Sequence, residues 1–144
     1  MNVILLMLIN IIPNNTVFLM GLSSLLISVT IIEFGVKYGV VFFMASAILS
    51  FLVIGNKIQW LVYVFTFGNY GLIKYLIERD RSMVLEYVLK LIYANIAVLA
   101  LFFAVKAFVY IPMKPWYVLA FEVVFLIYDY AYSLFVSRYT NIRK

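Results

Sequence analysis

Long apolar runs with very little charge constrain this chain more than any other feature. The first charged side chain is Glu33, and the whole sequence is 67% hydrophobic but only 12% charged. A soluble domain has about 45–50% apolar and about 25% charged residues. A fold of this size cannot bury such an excess, because a large part of any small fold stays exposed. The sequence therefore predicts an all-α, polytopic integral membrane protein whose helices lie in lipid.

Short polar or Gly/Pro-containing breaks divide the chain into six apolar segments. The segments are residues 1–12, 17–34, 40–54, 58–77, 83–110 and 116–136. The first would span about 18 Å as a helix, against a hydrocarbon core of about 30 Å. The breaks are residues 13–16, 35–39, 55–57, 78–82 and 112–115. We expect one transmembrane domain over residues 1–144, with six helices of which the first is short.

The lysines and arginines are unequally shared between the two sides of this six-helix arrangement. One side, which includes the C-terminus, carries Lys37, Lys74, Arg79, Arg81, Lys90, Arg138, Arg143 and Lys144. The other side carries Lys57, Lys106 and Lys114. Cytoplasmic loops are enriched in cations, so both termini are predicted to be cytoplasmic, in a bacterial plasma membrane. An aromatic belt of Trp60, Tyr63, Tyr110, Trp116 and Tyr117 is predicted at the outer boundary.

The absence of histidine and cysteine excludes several kinds of chemistry. Disulfides, thiolate nucleophiles, Cys/His zinc sites, imidazole bases and histidine-ligated haem all require residues that the chain lacks. We therefore predict no catalytic residues, no metal and no cofactor. The net charge of +5 follows the membrane pattern, so no nucleic-acid partner is expected.

Glu122 and Asp129 are the sharpest functional signal because both lie within an apolar segment. Seven residues apart, they fall within about 20° of one another on a helix. A carboxylate at the centre of the bilayer costs about 2.5–3.5 kcal/mol, so it should face the bundle interior and have a partner. One interpretation is a ligand contact or a proton or cation site. The other is a protonated acid bonded to Tyr or Asn on a neighbouring helix.

Polar residues recur at helical spacing along the fourth apolar segment. The stripe comprises Gln59, Tyr63, Thr66, Tyr70 and Lys74, and Asn69 lies one position away. Such a stripe either joins helices by hydrogen bonds or lines a cavity, and the same alternatives apply to Asn95. The glycines at positions 68 and 71 are expected to loosen the helix. Glu86 and Lys90 have the i,i+4 spacing of a surface ion pair.

The layout resembles a family of known membrane proteins. Six short helices with both termini inside, and a turn Ile-Pro-Asn-Asn-Thr at 12–16, resemble the substrate-binding S subunits of energy-coupling-factor vitamin transporters. Residues 33–39, 47–51 and 67–74 also resemble an uncharacterised family of clostridial multi-pass membrane proteins.

The resemblance implies a protein that captures a vitamin-like micronutrient from outside and delivers it within a complex containing a transmembrane coupling protein and two ATPases. It implies a pocket in the extracellular half, closed by the loop after the first helix. By position, the implied ligand-binding residues are Asn14, Asn15, Thr16, Asn56, Lys57, Trp60, Tyr63, Lys114, Trp116, Tyr117 and Glu122. The family's Ala-x-x-x-Ala docking surface is absent from the first segment.

The leading hypothesis is thus a transport subunit with no enzymatic activity of its own. An assembly or scaffold subunit is the main alternative, in which the buried acids and the polar stripe join helices. A small carrier driven by protonation of Asp129 is a third.

Overall fold

The computed structural model describes residues 1–110, 112 and 114–143. Part of the predicted break at 112–115 and the predicted cytoplasmic cation Lys144 therefore lie outside the described residues. The described residues form helices and no strand, which confirms the all-α prediction. The α-helices are α1 (Asn2–Ile11), α2 (Thr16–Phe34), α3 (Val36–Val53), α4 (Lys57–Val62), α5 (Tyr70–Glu78), α6 (Met83–Lys106) and α7 (Pro115–Arg143).

Within the described residues, four helical stretches are long and apolar enough to cross a membrane. They are Pro13–Phe34, Val36–Val53, Met83–Lys106 and Pro115–Arg143. Helix α1 is apolar too, but its 10 residues reach only about 15 Å. The structure thus has the character of a helical membrane protein.

Several helix boundaries differ from those predicted. The connection predicted over residues 35–39 is a single residue, Gly35, whose φ of 95° and ψ of 170° are adopted easily only without a Cβ. Helix α6 ends at Lys106 rather than at residue 110, before the two prolines at 112 and 115. Helix α7 continues past residue 136 to Arg143, because residues 137–143 contain no proline or glycine that would end it.

The predicted fourth helix is interrupted. Helix α4 is followed by a π-helical turn, Tyr63–Gly68, and α5 begins only after Asn69. The expected loosening at residues 68–71 is therefore confirmed, and the widened turn begins earlier, at Tyr63. Such turns place one extra residue in a helix and occur often at functional sites.

The chain forms two compact units. Unit 1 is Met1–Leu76 and unit 2 is Ile77–Lys144. In unit 1, α2 packs against α1, α3 and the π-helical turn. Its apolar core contains Leu6, Ile9, Leu19, Met20, Ile54 and Tyr63.

Small side chains allow α2 and α3 to approach closely. Ser24 and Ser28 on α2, and Ser46 and Ser50 on α3, are all buried, as their four-residue spacings indicate. A Cβ at Gly39 would collide with the side chain of Ile31.

Unit 2 consists mainly of α6 packed against α7. Polar contacts that join the helices include Lys90 with Asp129 and Asn95 with Glu122. The higher-numbered residue on α6 meets the lower-numbered residue on α7, so the helices run antiparallel.

Candidate functional site

Asn10 joins the segments that follow α1 and α3. Its Nδ2 donates to the carbonyl oxygen of Val53 at 2.6 Å, and its Oδ1 accepts from the N–H of Gly55 at 3.2 Å. Because α1 ends immediately after Asn10, both loops lie at the same end of unit 1. Residues 12–16 and 54–57 are called the loop end below.

Five predicted ligand-binding residues belong to this loop end: Asn14, Asn15, Thr16, Asn56 and Lys57. Asn14 and Asn15 are exposed on the 3-10 turn that follows α1. The Thr16 hydroxyl donates to a backbone carbonyl three residues earlier at 2.8 Å. The Oδ1 of Asn56 accepts from the backbone N–H two residues later at 3.0 Å, and this caps α4. The turn at residues 13–16 thus forms as predicted, and the two asparagines on it are accessible.

Lys57 and Trp60 pack against the end of α3. The Lys57 Nζ donates to the carbonyl oxygens of Phe51 at 2.5 Å and Ile54 at 3.4 Å, and it lies 4.1 Å from the centre of the Phe51 ring. The Trp60 Nε1 donates to the carbonyl of Ala47 at 3.0 Å, and its ring meets Phe51 edge-on. These two side chains of α4 therefore pack against the last turns of α3 and the residue that follows it.

A buried polar cluster lies beneath the loop end. It consists of Asn2, Ser23, Ser46 and Tyr63, and is called the Asn2 cluster below. The Asn2 Nδ2 donates to the Ser46 hydroxyl at 2.7 Å, and the Ser23 hydroxyl donates to Asn2 Oδ1. The Tyr63 ring is wholly buried, and its hydroxyl lies near these side chains without a hydrogen bond of its own.

The Asn2 cluster was not found from the sequence, except for Tyr63. Ser23 and Ser46 each lie seven residues from the loop end of their helices, about 10 Å along the axis. This equal distance from the helix ends could have predicted that the two serines meet, but only if the helix ends were already known. The prediction that Tyr63 belongs to an aromatic belt is wrong, because the ring fills the space between α1 and α2.

Three more residues of the polar stripe are buried, whereas Gln59 is half-buried. Thr66, Tyr70 and Lys74 are buried. The Thr66 hydroxyl donates to the backbone carbonyl of Val62, and the Lys74 ammonium lies 6.0 Å from the centre of the Tyr70 ring. Asn69 is the residue between the π-helical turn and α5. The stripe is therefore buried from Tyr63 to Lys74, even though the helix that carries it is interrupted.

In unit 2, Lys90 joins two carboxylates. Its Nζ lies 2.6 Å from Glu78 Oε1 and 3.0 Å from Asp129 Oδ2. The side chains of Lys90 and Asp129 are 5% and 6% exposed, whereas that of Glu78 is 33% exposed. Asp129 faces the helix interface as predicted, and Lys90 is one of its partners there. The predicted surface pair of Lys90 with Glu86 is wrong, because a lysine this far inside α6 gains more from a buried carboxylate.

Glu122 is placed differently from Asp129. Its Oε1 accepts a hydrogen bond from Asn95 Nδ2 at 3.0 Å, and Asn95 also donates to the backbone carbonyl of Leu91 at 2.9 Å. Both side chains are half-buried. Among the residues that the structure describes, no lysine or arginine lies within ion-pair distance of Glu122. Its hydrogen-bond partner is thus a neutral amide rather than a cation.

The remaining predicted residues of unit 2 lie near the beginning of α7. Lys114, Trp116 and Tyr117 are exposed there, and the N–H of Tyr117 donates to the carbonyl of Lys114 at 3.0 Å. Glu122 lies seven residues into α7, about 10 Å along the axis from Pro115.

The structure therefore gathers the predicted ligand-binding residues into two groups. One group is at or below the loop end of unit 1, and the other is in the first two turns of α7 in unit 2. Over the described ranges, no cluster of three or more acidic side chains is arranged to hold a metal ion. No protein family, curated protein or solved structure matches the chain.

Proposed function

We propose that this protein is the substrate-binding subunit of a membrane transporter, and that it captures a small, vitamin-like molecule from outside the cell. In this proposal it is a multi-pass protein of the cell membrane, with six helices and both termini in the cytoplasm. It works with a transmembrane coupling protein and ATPase subunits, and it catalyses no reaction itself. Its resemblance to energy-coupling-factor S subunits motivates these partners.

The proposal rests on the environment of the Glu122 carboxylate. A half-buried carboxylate in an apolar helix is costly, and here the only described hydrogen bond to it comes from Asn95. Asp129 is different, because Lys90 compensates its charge within the protein. Glu122 is thus free to pair with a cationic or hydrogen-bond-donating group of a ligand.

The distribution of charge supports the proposed orientation. On the proposed cytoplasmic side, Lys74 and Lys90 are buried and do not act as surface charges. Among the described residues, the exposed cations that remain there are Lys37, Arg79, Arg81, Arg138 and Arg143. Three exposed lysines, Lys57, Lys106 and Lys114, lie on the other side. The bias is smaller than the sequence count but keeps its direction.

Ligand capture can be tested on the purified protein. Co-purified small molecules would be identified by mass spectrometry, and candidate vitamins would be screened by thermal shift. We expect a stabilising ligand whose effect is lost in Glu122→Gln and retained in Glu86→Gln, a matched change of a half-buried glutamate in α6. Equal responses of the two variants, or no stabilising ligand at all, would remove the basis of the proposal.

The orientation is tested separately by labelling engineered thiols in cells. The chain has no cysteine of its own, so a single thiol reports one position. An impermeant reagent should label Lys114→Cys in intact cells and Arg79→Cys only after permeabilisation. Labelling of both in intact cells would contradict six spans with cytoplasmic termini.

A non-transporting assembly or scaffold subunit is the second candidate. The Lys90 ion pairs and the Asn2 cluster support it, because both join neighbouring helices through buried polar contacts. In that case the protein would co-purify with a membrane partner but without ATPases, and Glu122→Gln would change assembly rather than uptake. A carrier driven by protonation of Asp129 would instead lose uptake when the proton gradient is collapsed.

A further inference from the structure

An apolar groove runs along the outer surface of α3 and ends close to the loop end of unit 1. Its volume is about 280 Å³, and it is lined by Met44, Ala47, Ile48, Phe51, Leu52 and Trp60. Met44, Ile48 and Leu52 are spaced by four residues, so they form one row about 12 Å long on the helix. They are 54%, 64% and 75% exposed. This row is therefore available to whatever surrounds the helix.

A cation closes the groove at the loop end. The exposed Lys57 ammonium lies against the Phe51 ring, which is itself part of the groove wall. An ammonium group has three hydrogens to donate, and two carbonyl oxygens, of Phe51 and Ile54, accept from Lys57. The third hydrogen can be donated to an oxygen outside the protein. The two carbonyl oxygens hold the Lys57 ammonium at the end of the groove, so that the side chain does not extend away from the protein.

Trp60 forms a wall at this end of the groove. Its indole N–H is bonded to the carbonyl of Ala47, so its ring is held as a wall beside the row on α3. Tryptophan and lysine are both enriched where the hydrocarbon meets the headgroups of a bilayer. An apolar groove of this length that ends at a cation has the chemistry to hold an anionic phospholipid.

We propose that this groove is a binding site for an anionic phospholipid, with an acyl chain along Met44, Ile48 and Leu52 and the headgroup phosphate at Lys57. A helix of another protein could also cover the row, but it would not require the lysine. The proposal does not depend on the transport function, and it adds a specific lipid to the general contact with the bilayer.

The test uses the full chain, purified in detergent and freed of lipid. Native mass spectrometry would give the apparent Kd of the first bound phosphatidylglycerol and of phosphatidylcholine with the same acyl chains. One basic residue near a phosphate contributes about a fivefold preference for the anionic lipid. We expect Lys57→Ala to remove this preference and to leave phosphatidylcholine binding unchanged.

Lys106→Ala is the matched control, since Lys106 is another exposed lysine beside an aromatic ring at a helix end. It should keep the preference. Ile48→Trp should fill the groove and weaken the binding of both lipids. If thermal unfolding shows that this variant is not folded, Leu52→Trp is used instead. A preference that survives Lys57→Ala, equal losses in the two lysine variants, or a filled groove that binds both lipids normally would overturn the proposal. Loss of a dimer without loss of lipid in the filled variants would assign the groove to a second copy of the chain.

Discussion

Replacing Lys90 by methionine tests whether the buried ion pairs hold unit 2 together. Methionine keeps most of the volume of the side chain but removes the charge shared by Glu78 and Asp129. At 3.0 Å from Asp129 Oδ2 and with an effective dielectric constant of about 20, the gross attraction is about 5–6 kcal/mol. Desolvation of the lysine offsets part of it, and removing one partner of a buried pair costs about 3–5 kcal/mol. Because Glu78 is one-third exposed, water can replace its share, and we expect a loss of about 3 kcal/mol.

The free energy of unfolding would be measured by titrating the detergent-solubilised protein with a denaturing detergent while following helicity. Lys106→Met removes an exposed lysine from the same helix and should change the stability by less than about 0.5 kcal/mol. The double variant Lys90→Met/Asp129→Asn removes both members of the pair and should be more stable than Lys90→Met alone. A loss below about 1 kcal/mol in Lys90→Met would show that the ion pairs contribute little to stability. Additive losses in the double variant would show that the two groups are not coupled.

Two further predictions concern unit 1, both read from thermal or denaturant unfolding. Tyr63→Phe removes a buried hydroxyl that has no hydrogen bond and should leave the protein as stable or slightly more stable. Asn2→Ala leaves the Ser23 hydroxyl without its acceptor and should lower the free energy of unfolding by about 1–3 kcal/mol. Equal losses in the two variants would contradict this. Gly39→Ala places a methyl group against Ile31 and should cost about 1–3 kcal/mol, whereas Gly55→Ala meets only Asn10 Oδ1 at 3.7 Å and should be close to neutral. Similar stabilities of the two glycine variants would refute the close packing of α2 on α3.

Local chemistry made part of this structure predictable. The turn at residues 13–16 contains Pro and Asn, whose own backbone preferences form turns, and it appears where the sequence placed it. The stripe of Tyr63, Thr66, Tyr70 and Lys74 was predicted from spacing and is buried. Both depend on residues close together in the chain, where a periodic pattern is enough.

The rest depends on which helices are neighbours, and spacing alone does not contain that information. Lys90 looked like half of an i,i+4 pair with Glu86, but Asp129, 39 residues away, lies 3.0 Å from it. The Asn2 cluster likewise joins residues from three helices and the π-helical turn. No local pattern identifies such a group, because Ser23 and Ser46 look like ordinary small residues at a helix interface.

The π-helical turn has a consequence for how the chain tolerates changes in length. Elsewhere in a buried helix, deleting one residue turns everything beyond it by about 100° and moves buried side chains off the packed face. Between Tyr63 and Gly68 the helix already holds one residue more than a regular repeat needs. A deletion there would restore ordinary winding and leave the two ends in place, so homologous chains one residue shorter at this point can share the same packing.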